Sequence, residues 1–253
     1  MQIDIVTHCW SGDAVPIYHK LLWLQYLSLK RYPWSTEFRS HWWIFYTQTD
    51  PNTTEVLKRI TSDWINSHQE RLFIRPMVLP QRRLFRRAYG RNVAAMTSVA
   101  DAIWFTDVDH LFFENSLSDA LKYSIEAKTE HDADLIWPKN VNIHKRHSLG
   151  DAVIDTAFDT GLTEIIESDF TPRRERKAIG GIQIANGDYC RSVGYLNETK
   201  WMNPVDSDHF RQCHCDKAFR KRIDTKRAYD IRNVYRVRHS ITGRDQGENN
   251  HGA

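Results

Sequence analysis

Apolar positions in the first hundred residues follow two rhythms in turn. Ile3 to Thr7 alternates residue by residue, the period of a strand, and runs into the polar turn Ser11-Gly12-Asp13. Leu21, Leu22, Leu24, Tyr26 and Leu29 then recur at helical spacing until Pro33, which a helix does not continue past. The unit repeats. Trp42 to Thr47 reads as a short buried aromatic strand, Asp50-Pro51-Asn52 as a helix entry, and Val56, Leu57, Ile60, Trp64 and Ile65 as one helical face. Leu72 to Leu79 reads as a third strand closed by Pro80. Arg82 to Ala100 reads as a helix interrupted at Gly90, and Ala102 to Asp107 as a strand of large apolar residues. Strand and helix in alternation imply an α/β fold, a mostly parallel sheet with helices on both faces.

Beyond Phe113 the rhythm weakens. A helix over Ser116–Lys128 and a strand over Asp134–Trp137 precede two polar stretches with few regular signals, Lys139 to Arg146 and Ser168 to Lys177. The expectation is a single domain over residues 1–245, in which 114–245 elaborates the sheet begun by 1–113, with 246–253 a mobile tail.

Composition narrows the class. With 41% hydrophobic and 26% charged residues the chain has the makings of a folded core and lacks the signature of disorder. The longest aromatic block, Trp42-Trp43-Ile44-Phe45-Tyr46, is far short of the about 18 apolar residues of a membrane span. Residues 1–10 carry Asp4 and no basic segment ahead of an apolar run, so they read as an opening strand rather than a signal peptide, and a cytoplasmic location is expected. Cys9, Cys190, Cys213 and Cys215 are too irregularly spaced for a disulfide framework, which suits reduced thiols. The net charge is only +3, but Lys217 to Arg244 holds ten basic residues against Asp224 and Asp230. Basicity this local points to an anionic ligand or polymer.

Ile103-Trp104-Phe105-Thr106-Asp107-Val108-Asp109-His110 concentrates the chemistry: two carboxylates stand where a buried strand ends. Ligands of open α/β sheets bind beyond the carboxyl ends of strands, and an Asp-x-Asp there can meet Mg²⁺ or Mn²⁺ and a phosphorylated ligand. The plainer alternative makes Asp107 a turn cap and Asp109 a solvated loop residue. Other groups also have plain readings: His239 as a surface histidine, Gly180-Gly181 as a tight turn, and Arg82, Arg83, Arg86, Arg87 and Arg91 as a solvated helix face. Cys213-His214-Cys215 with His209 invites zinc, but it has no second cysteine pair, and on a helix Cys213 and Cys215 diverge.

Four segments together resemble metal-dependent GT-A glycosyltransferases, most closely the β-1,4-galactosyltransferase and polypeptide N-acetylgalactosaminyltransferase group. They are Phe85-Arg86-Arg87-Ala88-Tyr89-Gly90-Arg91-Asn92-Val93; Phe105-Thr106-Asp107-Val108-Asp109; Ile179-Gly180-Gly181-Ile182 running on to Gly194-Tyr195, Trp201 and Asp206-Ser207-Asp208-His209-Phe210; and Val237-Arg238-His239-Ser240. Their order spans residues 85 to 240. The resemblance implies a Rossmann-like GT-A fold, a nucleotide-sugar half over 1–113, an acceptor half over 114–245, and transfer of a sugar, with inversion, from a UDP-sugar to an acceptor hydroxyl. Phe85 would stack on the base, Arg87 face the nucleotide, Asp107 hold the ribose and sugar, and Asp109 with His239 ligate Mn²⁺ or Mg²⁺. Gly180, Gly181, Trp201 and Asp208 would serve the acceptor, and Asp206 would be the catalytic base. The family's Phe-Arg-Asn-Arg after the first strand is replaced by His8-Cys9-Trp10-Ser11-Gly12-Asp13, and Arg236 stands where galactosyltransferases place a sulfur metal ligand. Implied acceptors are a glycan, a protein, or DNA with hydroxymethylated bases, to which the basic C-terminal third is suited. The rival reading is a metal-dependent nucleic-acid-binding protein or nuclease, with Asp107 and Asp109 on Mg²⁺.

Overall fold

The computed structural model describes residues 1–12, 16–67, 70–163, 165–206 and 214–240. In chain order the first half comprises β1 (Gln2–His8), α1 (Tyr18–Lys30), β2 (Arg39–Tyr46), α2 (Pro51–Asn66), β3 (Leu72–Val78), α3 (Gln81–Leu84), α4 (Arg87–Thr97), β4 (Ala102–Phe105) and β5 (His110–Phe112). The second comprises α5 (Ser116–His131), β6 (Leu135–Pro138), β7 (Asn140–His144), α6 (His147–Thr160), β8 (Phe170–Arg174), β9 (Gln183–Asn186), α7 (Gly187–Val193), α8 (Thr199–Met202), α9 (Cys215–Arg222), β10 (Lys226–Tyr229) and β11 (Val234–Arg236).

The larger sheet runs β10-β6-β9-β4-β1-β2-β3. Strands β4, β1, β2 and β3 are mutually parallel, as are β10 and β6, while β9 lies antiparallel between β4 and β6. The mostly parallel α/β sheet expected from the alternation is therefore present. β1 is buried along its whole length, as a strand covered by helices on both faces must be. α2 starts where the sequence signals it: the Asp50 side chain accepts the Thr53 N–H at 3.1 Å and Pro51 takes the first helical position. α1 is buried from Leu21 through Leu29, and its Trp23 indole donates to the Ala157 carbonyl of α6 at 3.0 Å.

Two expectations are corrected. The helix after β3 does not break at Gly90. It breaks at Phe85–Arg86, where Arg86 leaves helical geometry (φ −90°, ψ 76°), and α4 then runs straight through Gly90. The glycine is there for proximity: a Cβ at position 90 would fall 2.3 Å from Nε2 of His8 and 2.9 Å from Cγ of Phe45. The polar stretches after Trp137 are also not irregular. They contain β7 and β8, and with β5 and β11 these form a second sheet in the order β5-β11-β7-β8. β8 is an edge strand in which Phe170 alone is buried, so it carries almost no apolar pattern.

Candidate active site

The parallel strands β1 and β4 end side by side, and the second sheet faces them across a cleft of about 1050 Å³. The order of the large sheet reverses at this point, since β2 and β4 lie on opposite sides of β1, and such a switch opens a crevice at the strand ends.

Asp107 follows the end of β4. Its Oδ1 accepts from Arg87 Nη1 at 3.0 Å and from Arg91 Nη2 at 3.3 Å, two arginines one helical turn apart on α4 and hence on one face. Arg91 is 1% exposed, so it is a core residue and no part of a solvated helix face. Its other amino group donates to the Tyr195 hydroxyl at 2.9 Å, Tyr195 donates to Gln183 Oε1 at 2.8 Å, and Gln183 Nε2 donates to the Asp216 carbonyl at 2.9 Å. A buried guanidinium needs partners of this kind, and both terminal nitrogens of Arg91 have one. Burial works against ionisation of Asp107, but Arg87 and then Arg91 outweigh it and hold the carboxyl below its ordinary range.

Asp109 is held differently. Nδ1 of His110 lies 2.8 Å from its Oδ1, Nε of Arg236 donates to its Oδ2 at 2.8 Å, and its backbone carbonyl accepts from Val237 at 2.8 Å. Burial again opposes the charge, and Arg236 followed by His110 drives the carboxyl far below the usual carboxylate range. Gly181 presses on this clasp: its φ is +90°, and a Cβ there would sit 2.5 Å from Cε1 of His110. The neighbouring Gly180 N–H donates to Asp216 Oδ2 at 3.0 Å.

Among the described residues that line the cleft, nine lysines and arginines face three carboxylates, Asp107, Asp109 and Asp216. Lys145, Lys177, Lys217 and Arg238 are exposed on this lining. Cations concentrated in a concave surface create a field suited to a phosphate-bearing ligand. Two of the five histidines on the lining are nearly buried, with neither ring nitrogen hydrogen-bonded within the protein: His8 at the end of β1 and His144 at the end of β7. Burial, then Arg91 and Arg87, keeps His8 neutral by pushing its pKa well below the usual value. Burial lowers His144, stacked on Phe170 with centroids 3.8 Å apart, to about 4.

Of the residues singled out in the sequence, Arg87, Asp107, Asp109, Gly180 and His239 converge on this cleft, with His239 edge-on to Tyr18 at 5.8 Å between ring centroids. Gly181 lies behind it, against His110. Phe85 is 2% exposed, its ring edge-on to Trp10 at 4.9 Å, and is not part of the cleft lining. Trp201 on α8 and the exposed Asp206, salt-bridged to Arg82 at 3.1 Å, also stand outside the lining. Asp208, His209 and Cys213 lie outside the described residues. Cys9, Cys190 and Cys215 are buried thiols outside any disulfide. No helix among the described residues is long and apolar enough to cross a membrane.

No family model and no curated protein matches the chain. Solved structures do. TarS residues 1–349 from S. aureus superpose with a TM-score of 0.53 at 11% identity, covering 94% of this chain and 60% of that one. The mannosyltransferase PcManGT from Pyrobaculum calidifontis, in complex with GDP-Man and Mn²⁺, gives a TM-score of 0.53 at 10% identity, covering 93% of this chain and 56% of that one. The chain shares the fold of these two structures, a mixed α/β fold of GT-A type. The chain spans about three fifths of each neighbour's length.

Within this GT-A fold, the divalent ion implied by the resemblance meets a poor donor set. Asp109 and His239 share the cleft, but each oxygen of Asp109 already faces a nitrogen, from His110 or Arg236. Among the described residues no three His, Cys, Asp or Glu side chains gather as a metal-binding group. As they stand, these residues do not fit a divalent cation.

Proposed function

We propose that the chain transfers a sugar from a nucleotide-diphosphate sugar to an acceptor hydroxyl. The observation that carries this is the coincidence of the Asp107–Arg87–Arg91 cluster with a strongly basic cleft at the strand ends of a GT-A fold. Asp107, its carboxylate fixed by two arginines, would accept from the donor's ribose and sugar hydroxyls. Arg87 and the exposed cations of the opposite wall would receive the diphosphate. Glycosyl transfer breaks the bond between the anomeric carbon and the diphosphate oxygen, so negative charge grows on the leaving group, and fixed cations there favour the transition state over the ground state. The neutral ring of His8 offers one donor and one acceptor to the nucleotide.

A UDP-sugar is the donor that the resemblance suggests; PcManGT, solved in complex with GDP-Man, keeps guanine in view. Residues 1–113 would form most of the donor side and 114–245 the acceptor side, with Gly180, Trp201 and Asp208 serving the acceptor. Asp206, exposed and paired with Arg82, is proposed to take the proton of the attacking hydroxyl, giving inversion. The acceptor would be a glycan, a protein or DNA with hydroxymethylated bases.

The test is nucleotide release from a panel of UDP- and GDP-sugars, with Arg87→Ala and Asp206→Asn beside the wild type. Release from one donor is expected, weakened at least tenfold in KM by Arg87→Ala, while Asp206→Asn lowers turnover and spares nucleotide affinity. No release from any donor, together with DNA binding that falls steeply with salt, would replace this reading by the nucleic-acid one.

A further inference from the structure

On the donor reading the cleft has a diphosphate to neutralise, and Asp109 on its lining is already matched with a cation. Resting on the donor reading above, we propose that Arg236 does the work of a divalent ion: its guanidinium is the fixed positive charge against Asp109, and the nucleoside diphosphate binds without metal.

Three observations support it. First, the pairing is direct, Nε of Arg236 to Oδ2 of Asp109 at 2.8 Å, and the other oxygen is taken by His110. A divalent ion on this carboxylate would share it with a guanidinium that cannot be deprotonated in a protein, and the two cations would repel. Second, the clasp is built in. Val237 bonds the Asp109 backbone, β11 pairs antiparallel with β5 so that Arg236 stands opposite His110, and the left-handed Gly181 lets its segment close over the His110 ring. Arg236 is therefore held by sheet register and is not a surface arginine that happens to lie near. Third, the lining already carries a threefold excess of cations over carboxylates among the described residues, which supplies the charge a metal would bring. Arg236 keeps donor groups on its two terminal nitrogens for phosphate oxygens while Nε holds Asp109, because a planar guanidinium presents several N–H directions at once.

Two measurements decide it. Calorimetric binding of UDP and of GDP is compared in EDTA and in Mn²⁺, for the wild type, Arg236→Ala and Arg236→Lys. The expected result is wild-type affinity for at least one nucleotide in EDTA within threefold of that in Mn²⁺, a loss of tenfold or more in Arg236→Ala in EDTA, and a smaller loss in Arg236→Lys, which keeps the charge. Tenfold or more tightening of the wild type by Mn²⁺ overturns the proposal. The second measurement uses Mn²⁺ alone, followed through the electron paramagnetic resonance of the free ion. The wild type is expected to leave the free signal unchanged, whereas Arg236→Ala, with Oδ2 of Asp109 exposed, is expected to take up the ion. Stoichiometric uptake by the wild type that disappears in Asp109→Asn overturns the proposal even if no nucleotide binds. A wild type that binds neither nucleotide under either condition removes the donor reading, and the Mn²⁺ measurement still decides whether Asp109 is a metal site.

Discussion

The two walls of the cleft solve the problem of holding charge in different ways. On the α4 side, Arg91, Tyr195 and Gln183 form a continuous buried chain, and Arg91 carries it to the partly exposed carboxylate of Asp107, so that the two charges meet each other. Across from it, the second sheet and α9 present Lys145, Lys177, Lys217 and Arg238 to solvent. The first wall is rigid because its arginine could not stay charged out of place, and the second is adaptable because its long side chains are solvated wherever they point. A preorganised wall suits the constant part of a ligand, and an adaptable one suits the part that moves or leaves.

The contrast can be broken most severely at Asp107. Asp107→Asn strands the charge of Arg91 in the core and is expected to cost about 3–5 kcal/mol in urea unfolding. Adding Arg91→Met should recover more than half of that, and failure to recover would mean that the carboxylate matters for some reason other than its buried partner. His144 sharpens the comparison, since it is the hidden group of the otherwise open wall. Its ring stays neutral in the folded protein down to about pH 4, whereas the unfolded chain takes up a proton below its usual 6.5. Stability should therefore be flat in this respect above 6.5 and fall by up to about 1.4 kcal/mol per unit as pH drops from there to about 4. His144→Phe, which can still stack on Phe170, should remove that component of the acid limb. The smallest effect on stability belongs to Lys145→Ala and Lys177→Ala, each expected within about 0.5 kcal/mol of wild type. The same variants should weaken nucleotide binding a few-fold and flatten its dependence on salt; a loss of stability instead would show that this wall too is built in.

The first five elements could be read from the sequence because each is covered on at least one face and so must carry its period in apolar residues. β7, β8 and β11 could not, being short and, for β8, buried at one position only. In the site, Asp107 and Asp109 stood out as carboxylates after an apolar run, and Arg87 and His239 came with the family resemblance. Arg91, Tyr195 and Gln183 were invisible as a group: 104 residues separate the first two, and no local pattern announces that an arginine on a charged helix will point inward. The one available signal was spacing, since Arg87 and Arg91 are a turn apart and both can address a single carboxylate. Arg236 was visible only as a departure from the family pattern, and the register of β11 against β5 gives that departure its partner.

Gly90 lets the backbone of α4 lie directly on the side chains of His8 and Phe45. That contact acts as a datum surface: the positions of Arg87 and Arg91 relative to the ends of β1 and β2 are set by two buried rings stacked with centroids 5.0 Å apart. Even a single added methyl would move both arginines together, and with them the carboxylate they hold. The whole recognition edge would shift as one piece, and the chain has no way of adjusting it residue by residue.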